Sequence, residues 1–203
     1  MTTTQISDTE SAVVPEALIY EVHLGRNIYY RGYRDVLVGK LKAEDIMGCS
    51  STQSIILAII SEWIRDTSNR NLLVLSNELG VTLPNGQRRD LDLAVYNNDD
   101  NRLRNWEAKR ETIAPRLVIE VDTQADLDNE HYQHSELAYI REKTTDLLDF
   151  GVEKVIWFST SKRTLLVSTP LAQTFYDLHE TIELIDGLQM NLGEILRKDG
   201  WDI

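Results

Sequence analysis

Apolar residues recur along this chain with two different periods. From Ser51 to Arg65, Ile55, Ile56, Ile59, Ile60 and Trp63 fall three and four residues apart, which predicts an amphipathic helix with Ser50 or Ser51 as its N-cap. The same spacing returns between Leu127 and Phe150, where Leu137, Ile140, Thr144, Leu147 and Leu148 trace one stripe and Gly151 supplies the stop. Elsewhere the pattern is that of strands. Leu72–Leu75 and Val81–Leu83 lead into Pro84-Asn85-Gly86, a turn in which proline fixes its own φ and Asn-Gly tolerates positive φ, and Leu91–Tyr96 returns. Leu117–Val121 and Val155–Phe158 are near-continuous apolar runs, as expected of buried central strands. Pro15–Val22 and Ile28–Tyr30 predict an N-terminal hairpin, Thr164–Val167 and Thr181–Ile185 a C-terminal one. The order is helix, three strands, helix, three strands, which is a mixed α/β layer fold. Residues 1–14, polar and rich in Thr and Ser, read as a disordered tail, and residues 15–203 as one domain. Asn97–Asn101 reads as a loop, with a short helix around Trp106.

Composition narrows the class. Of 203 residues, 42% are apolar, enough for a core, and no apolar run approaches the length of a membrane span. The polar start Met1-Thr-Thr-Thr-Gln5 lacks the regions of a signal peptide, and one cysteine, Cys49, excludes an internal disulfide; both fit a reducing, cytoplasmic setting. A net charge of −12 argues against strong non-specific binding of nucleic acid. The basic side chains do gather between residues 88 and 116, as Arg88, Arg89, Arg102, Arg104, Lys109, Arg110 and Arg116. That stretch is either a basic surface on an acidic body or a mixed-charge solvated loop.

The chemistry sits in residues 90–143. Asp92 and Glu120 each interrupt an apolar strand, where an ionised carboxylate is costly unless it is paired or bound to a metal. Strand alternation puts Asp90, Asp92 and Ala94 on one face, and Val118, Glu120 and Asp122 on one face, so up to four carboxylates can gather if the two strands are neighbours. Asp90 and Asp122 also fit a simpler role as strand ends, Asp122 tying down the next loop. Lys143 borders the apolar stripe of the second long helix and either snorkels to solvent or reaches a cleft beside the sheet. Two carboxylates and a lysine suit a divalent metal and a phosphodiester: Mg²⁺ takes oxygen ligands, and the ammonium assists the water or the phosphate.

The ordered set Leu91-Asp92-Leu93-Ala94-Val95, Pro115-Arg-Leu-Val-Ile-Glu-Val121, Glu142-Lys143 and Phe150-Gly-Val-Glu-Lys-Val-Ile-Trp157 resembles the PD-(D/E)xK, restriction-endonuclease-like nuclease superfamily, in particular its Uma-two family. The resemblance covers about residues 72–167. It implies an αβββαβ core, here with an N-terminal hairpin and a C-terminal β extension. It also implies Asp92 and Glu120 as ligands of Mg²⁺, or Mn²⁺ in its place, DNA as substrate, and a homodimer. The superfamily's lysine two residues after the glutamate is absent, since position 122 is Asp, and its role maps to Lys143. Leu91 stands where the family has proline. Asp122 is then either a further metal ligand, with Asp92 and Glu120, or a sign of altered or lost activity. In the superfamily the first helix contributes a polar residue; Gln53 and Glu62 are candidates, with Glu78 a third, each against plain surface solvation.

Two other features carry weaker signals. His131 and His134 sit three apart beside Glu130 in the predicted helix, a zinc-like spacing without a third ligand, which assigns them a structural or solvent role. Tyr29, Tyr30 and Tyr33 interleave with Arg26, Arg31 and Arg34, a pattern that suits stacking on nucleic acid and equally a hairpin edge or dimer contact. The leading expectation is a metal-dependent DNA endonuclease. Its rivals are an inactive relative that kept the fold for binding or assembly, and a protein whose carboxylates hold a structural metal.

Overall fold

A computed structural model describes residues 14–103 and 109–202. The tail expected over residues 1–14 falls, apart from Val14, outside the described residues, as does the short helix expected around Trp106.

The N-terminal hairpin forms from β1 (Ile19–His23) and β2 (Arg26–Tyr29), turned by Leu24 and Gly25, both at positive φ. A short helix, α1 (Tyr33–Leu37), follows. The first long helix, α2 (Ser51–Thr67), starts where Ser50 Oγ accepts the Gln53 backbone N–H. It buries Ile56, Leu57, Ile60 and Ile64, leaving Ile55 exposed. The two apolar runs on either side of Ser76-Asn77-Glu78 are one strand, β3 (Leu72–Thr82), antiparallel to β4 (Arg88–Asn97). Then come β5 (Leu117–Val121), α3 (Glu136–Phe150) and β6 (Lys154–Ser159). β5 and β6 run parallel, joined by α3 as crossover. The αβββαβ core is therefore α2, β3, β4, β5, α3 and β6.

The second long helix is shorter than its sequence pattern. Residues 127–135 are not helical, with turns over 130–134, because Asn129 Oδ1 takes the backbone N–H groups of His131 and Tyr132, and Ser135 caps the helix proper by accepting from Ala138 N. Gln133 and His134 both have positive φ, so His131 and His134 are not helical neighbours. The C-terminal hairpin also differs. β7 (Thr164–Ser168) pairs with β8 (Gln173–Asp177), because Thr169 and Ala172 close a tight turn between them. Of Thr181–Ile185 only β9 (Ile182–Glu183) is strand; it pairs with β10 (Gln189–Met190) in a separate small sheet. A last helix, α4 (Leu192–Lys198), lies beyond the elements read above, although Asn191 as N-cap, Glu194 three residues on and Leu192, Ile195 and Leu196 at helical spacing mark it.

The eight-stranded sheet runs β2-β1-β4-β5-β6-β7-β8, with β3 on the other edge of β4. One face buries Leu93, Val95, Leu117 and Ile119 against α2 and α4; the other buries Ala94, Val118, Val155 and Trp157 against α3 and the hairpin. Among the described residues no helix is long and apolar enough to cross a membrane.

Candidate active site

Both ladders of β4 are interrupted at Asp92. Toward β5 the pairing runs Val95↔Leu117, Ala94↔Val118, Leu93↔Ile119 and ends there, one step before Asp92 and Glu120 would meet. Toward β3, Leu93 pairs with Ser76 and Leu91 with Leu79, so Asn77 and Glu78 together oppose Asp92. Both bulge residues have positive φ. A bulge of two residues against one bends a strand and frees backbone groups from the ladder. The Val121 N–H, freed from β4's backbone, donates to Asp92 Oδ2 at 2.8 Å, and Gln53 Nε2 of α2 donates to the same oxygen at 3.0 Å. Side-chain alternation breaks at the same place: Leu93 and Val95 pack on the α2 face, Leu91 with Ala94 on the α3 face. The simple face assignment that grouped Leu91 with Leu93 fails here because of this kink.

Lys143 does not border the buried face of α3 but sits in it, in line with Tyr139 and Leu147. Its ammonium is fully buried, 5.5 Å over the Trp157 ring. It donates to Asp90 O at 2.6 Å, to Glu120 Oε2 at 3.0 Å and pairs with Glu21 Oε1 at 2.9 Å. An ammonium has three N–H groups, and these three oxygens use them. Glu120 is 1% exposed, and its other oxygen, Oε1, is buried with no hydrogen-bond partner among the described residues.

Glu21 escaped the sequence reading. It is fully buried, and it also accepts from Arg89 Nη1 at 2.8 Å, Tyr139 Oη at 2.8 Å and Asp90 N at 3.2 Å. Arg89, itself fully buried, continues to Asp146 and to Glu142 Oε1 at 3.3 Å. The signal that could have found Glu21 is the one that found Asp92: a carboxylate between Tyr20 and Val22 in an apolar strand.

The electrostatics follow from burial and sign. Burial, only partly offset by Lys143 and reinforced by Asp92 and Glu21, pushes the Glu120 carboxyl well above the usual range. Burial likewise raises Asp92 against Lys143, the Val121 N–H and Gln53. Glu78 at the bulge is raised by partial desolvation and by Asp90 and Asp92. Glu21 goes the other way: burial is outweighed by Lys143, Arg89 and the hydrogen bonds to Lys143 and Tyr139, so it stays ionised. Glu21 and Glu120 meet the Lys143 ammonium and Asp92 acts on it through space, three carboxylates against Lys143 and the Arg89 that pairs with Glu21, an excess of negative charge.

That excess and the unpartnered Glu120 Oε1 fit a hard divalent cation, for which carboxylate oxygens are the natural donors. Asp92 and Glu120 are the carboxylates that could supply them. Among the described residues no group of three or more His, Cys, Asp or Glu is placed to hold a metal ion together, so the candidate set is these two carboxylates. Asp122 faces elsewhere: at φ 56° it accepts from Thr160 N at 3.0 Å and from Thr160 Oγ1 at 2.5 Å, and so ties down the loop after β6. The Asp90 carboxylate pairs with Arg110 Nη2 at 2.5 Å. Glu62 lines a surface groove between α2 and α4, away from the site. Arg89, Arg102, Arg110 and Arg116 of the basic stretch all pair with carboxylates, so these four do not build an open basic surface.

Residues 50–196 match the Uma2 family, described as "Putative restriction endonuclease". Among solved structures, a crystal structure of "a putative nuclease belonging to DUF820 from Anabaena variabilis ATCC 29413" matches with a TM-score of 0.61. The match covers 87% of this chain and 89% of that one at 14% identity, which is a likeness of fold. No curated protein matches the chain.

Proposed function

The chain belongs to the Uma2 family, and from that premise we propose that it is a metal-dependent endonuclease acting on DNA. Family and fold support a nuclease; metal, substrate and residue roles are our reading of the site. Asp92 and Glu120 hold the cation. When bound, the cation supplies positive charge for the scissile phosphate and Lewis acidity toward the attacking water. Asp92 keeps its orientation through Gln53 and the Val121 N–H, which leaves its second oxygen for the cation. Lys143 orients Glu120 through Oε2, turns Oε1 toward the site, and places a fixed positive charge beside the phosphate. Glu21 holds Lys143 from behind. Asp122, engaged by Thr160, is left out of this set.

The observation that carries this reading is the buried Glu120 Oε1, a carboxylate oxygen without a donor next to a second carboxylate. Its test is cleavage of supercoiled plasmid and of single-stranded DNA in Mg²⁺, Mn²⁺ or EDTA, by wild type, Asp92→Asn and Glu120→Gln, with circular dichroism as a check on folding. Metal-dependent cleavage lost in both folded variants supports the reading. Cleavage that survives both substitutions, or none by wild type, sinks it.

One observation favours a second reading. Glu120 and Lys143 are closed off and Asp92 is 7% exposed, so no phosphodiester reaches them in this conformation. An inactive relative serving binding or assembly would keep such a closed cluster. It would bind neither Mg²⁺ nor Mn²⁺ in calorimetry, whereas a nuclease must bind one of them.

A further inference from the structure

The sequence singled out alternating tyrosines and arginines in the N-terminal hairpin, and the proposed chemistry uses none of them. The structure gathers part of that motif into a cleft of about 390 Å³ between β2, α1 and the turns preceding α3. Its walls include Arg26, Tyr29, Tyr33, Arg34, His131 and Tyr132. The volume lies within the range of small-ligand sites, roughly 300–1,000 Å³.

The walls are flat and fixed. Tyr29 and Tyr33 stack with centroids 4.6 Å apart at 26°. The Arg34 guanidinium lies 4.8 Å over the Tyr33 ring, held by Asp126 Oδ2 at 2.8 Å and Asp128 O at 2.6 Å. The Arg26 guanidinium lies 5.5 Å from the Tyr132 ring centroid and is held by Glu142 Oε2 at 3.1 Å. His131 Nε2 meets the same carboxylate oxygen at 2.6 Å. Two arginine–tyrosine contacts and a tyrosine pair fix the orientation of these cleft-lining planes before any ligand arrives.

Charge decides what such a cleft takes. Both guanidinium groups already face carboxylates, so little positive charge is left over for a phosphate. Stacking on aromatic and guanidinium planes needs no surplus charge and accepts any base. The cleft is also wired to the candidate active site. Glu142 directly precedes Lys143 on α3 and meets Arg89, which meets Glu21, which meets Lys143.

We propose that this cleft is a nucleobase subsite, taking one unstacked base of the substrate strand beside the cleavage site. The assignment rests on the nuclease reading for its ligand class, and its test is independent of catalysis. A short single-stranded oligonucleotide carrying one 2-aminopurine is titrated with the full chain in EDTA, following fluorescence quenching. Wild type should quench and bind it. Tyr33→Leu should weaken binding about tenfold or more, as loss of one base–aromatic stack does. Tyr33→Phe, which keeps the ring, should bind as wild type, and an oligonucleotide with an abasic site at that position should bind wild type as weakly as the intact one binds Tyr33→Leu. Melting curves establish that the variants fold. Unchanged affinity in folded Tyr33→Leu, or no quenching by wild type, overturns the subsite. Quenching that depends on Tyr33 in a protein with no Mg²⁺-dependent cleavage keeps the subsite and discards the nuclease; cleavage with Tyr33-independent binding does the reverse.

Discussion

Lys143→Met tests the physical account of the site most directly, because the side chain keeps its length and loses only its charge and donors. In the native chain Lys143 faces Glu21, Glu120 and the Asp90 carbonyl. Without it, Glu21 still has Arg89, Tyr139 and the Asp90 N–H. Among the described residues Glu120 has no other donor, and its Oε1 is already without a hydrogen-bond partner there. The cost therefore falls on one carboxylate left buried and unpaired, about 3–5 kcal/mol. Glu120→Gln alone removes the charge while Lys143 keeps two acceptors, costing about 1–3 kcal/mol. In the double variant the carboxylate is gone, so it should fall well short of the sum, with a coupling of about 2 kcal/mol. Guanidinium unfolding monitored by far-ultraviolet circular dichroism, in EDTA, measures all four corners of the cycle. A Lys143→Met cost below about 1 kcal/mol, or strict additivity, would refute the claim that Lys143 compensates Glu120.

Three further outcomes follow from the same contacts. Glu142 is held below the usual carboxylate range because Tyr132, His131, His23 and Arg89 outweigh its burial. A depressed carboxylate contributes stability above about pH 4.3, its unfolded value, and loses it as pH falls through the folded value; Glu142→Gln should lower stability at neutral pH and flatten the acid limb of a stability–pH profile, and an unchanged limb would count against the pairing. Mg²⁺ at about a hundredfold excess over its Kd should raise the melting temperature by roughly 5–10 °C in wild type and not in Glu120→Gln; equal shifts in both would remove Glu120 from the metal set. Gln53→Ala leaves Asp92 with the Val121 N–H as its remaining recorded donor, so calorimetry should find metal affinity about 10–100-fold weaker, and unchanged affinity would show that Gln53 does not orient the ligand.

The parts legible in the sequence are those that rest on local periodicity. Leu117–Val121 is readable because both faces are buried and the run is apolar throughout, and Asp92 and Glu120 because charge in such surroundings demands a partner; Lys143 comes from the resemblance, and its place in the buried face of α3 is not legible. What failed depends on side chains that compete with the backbone or on contacts far along the chain. Asn129 and Ser135 delay the start of the helix to Glu136, because their side chains take backbone N–H groups that a longer helix would need. The bulge at Asn77 and Glu78 is invisible to pattern because neither residue is glycine, yet it determines where Asp92 points. Glu21 acquires its meaning only when Lys143 arrives from 122 positions away.

The closed site implies an uneven distribution of stability, since a substrate must enter for Asp92 and Glu120 to act on it. β5 is bound to β6 by five consecutive pairs from Leu117↔Lys154 to Val121↔Phe158. The hairpin that covers the α3 side is bound to the sheet far more thinly: among the described residues β1 meets β4 at one pair, Val22↔Arg88. It is also held by the Glu21–Arg89–Lys143 ion network, the Arg26–Glu142 pair, the packing of Tyr20 and Tyr30, and backbone bonds of residues 29–31 to the 124–126 loop, which is not part of the sheet. Elements with few ladder bonds open at lower free energy than the sheet they cover. Native-state hydrogen exchange should therefore show the Ile28 and Tyr29 amides exchanging by sub-global opening while Val118–Val121 exchange only on global unfolding. Arg89→Met, which removes one leg of the network, should widen that gap. Identical exchange free energies for hairpin and central strands would mean that the site opens only when the fold does, and would favour the inactive reading over the nuclease.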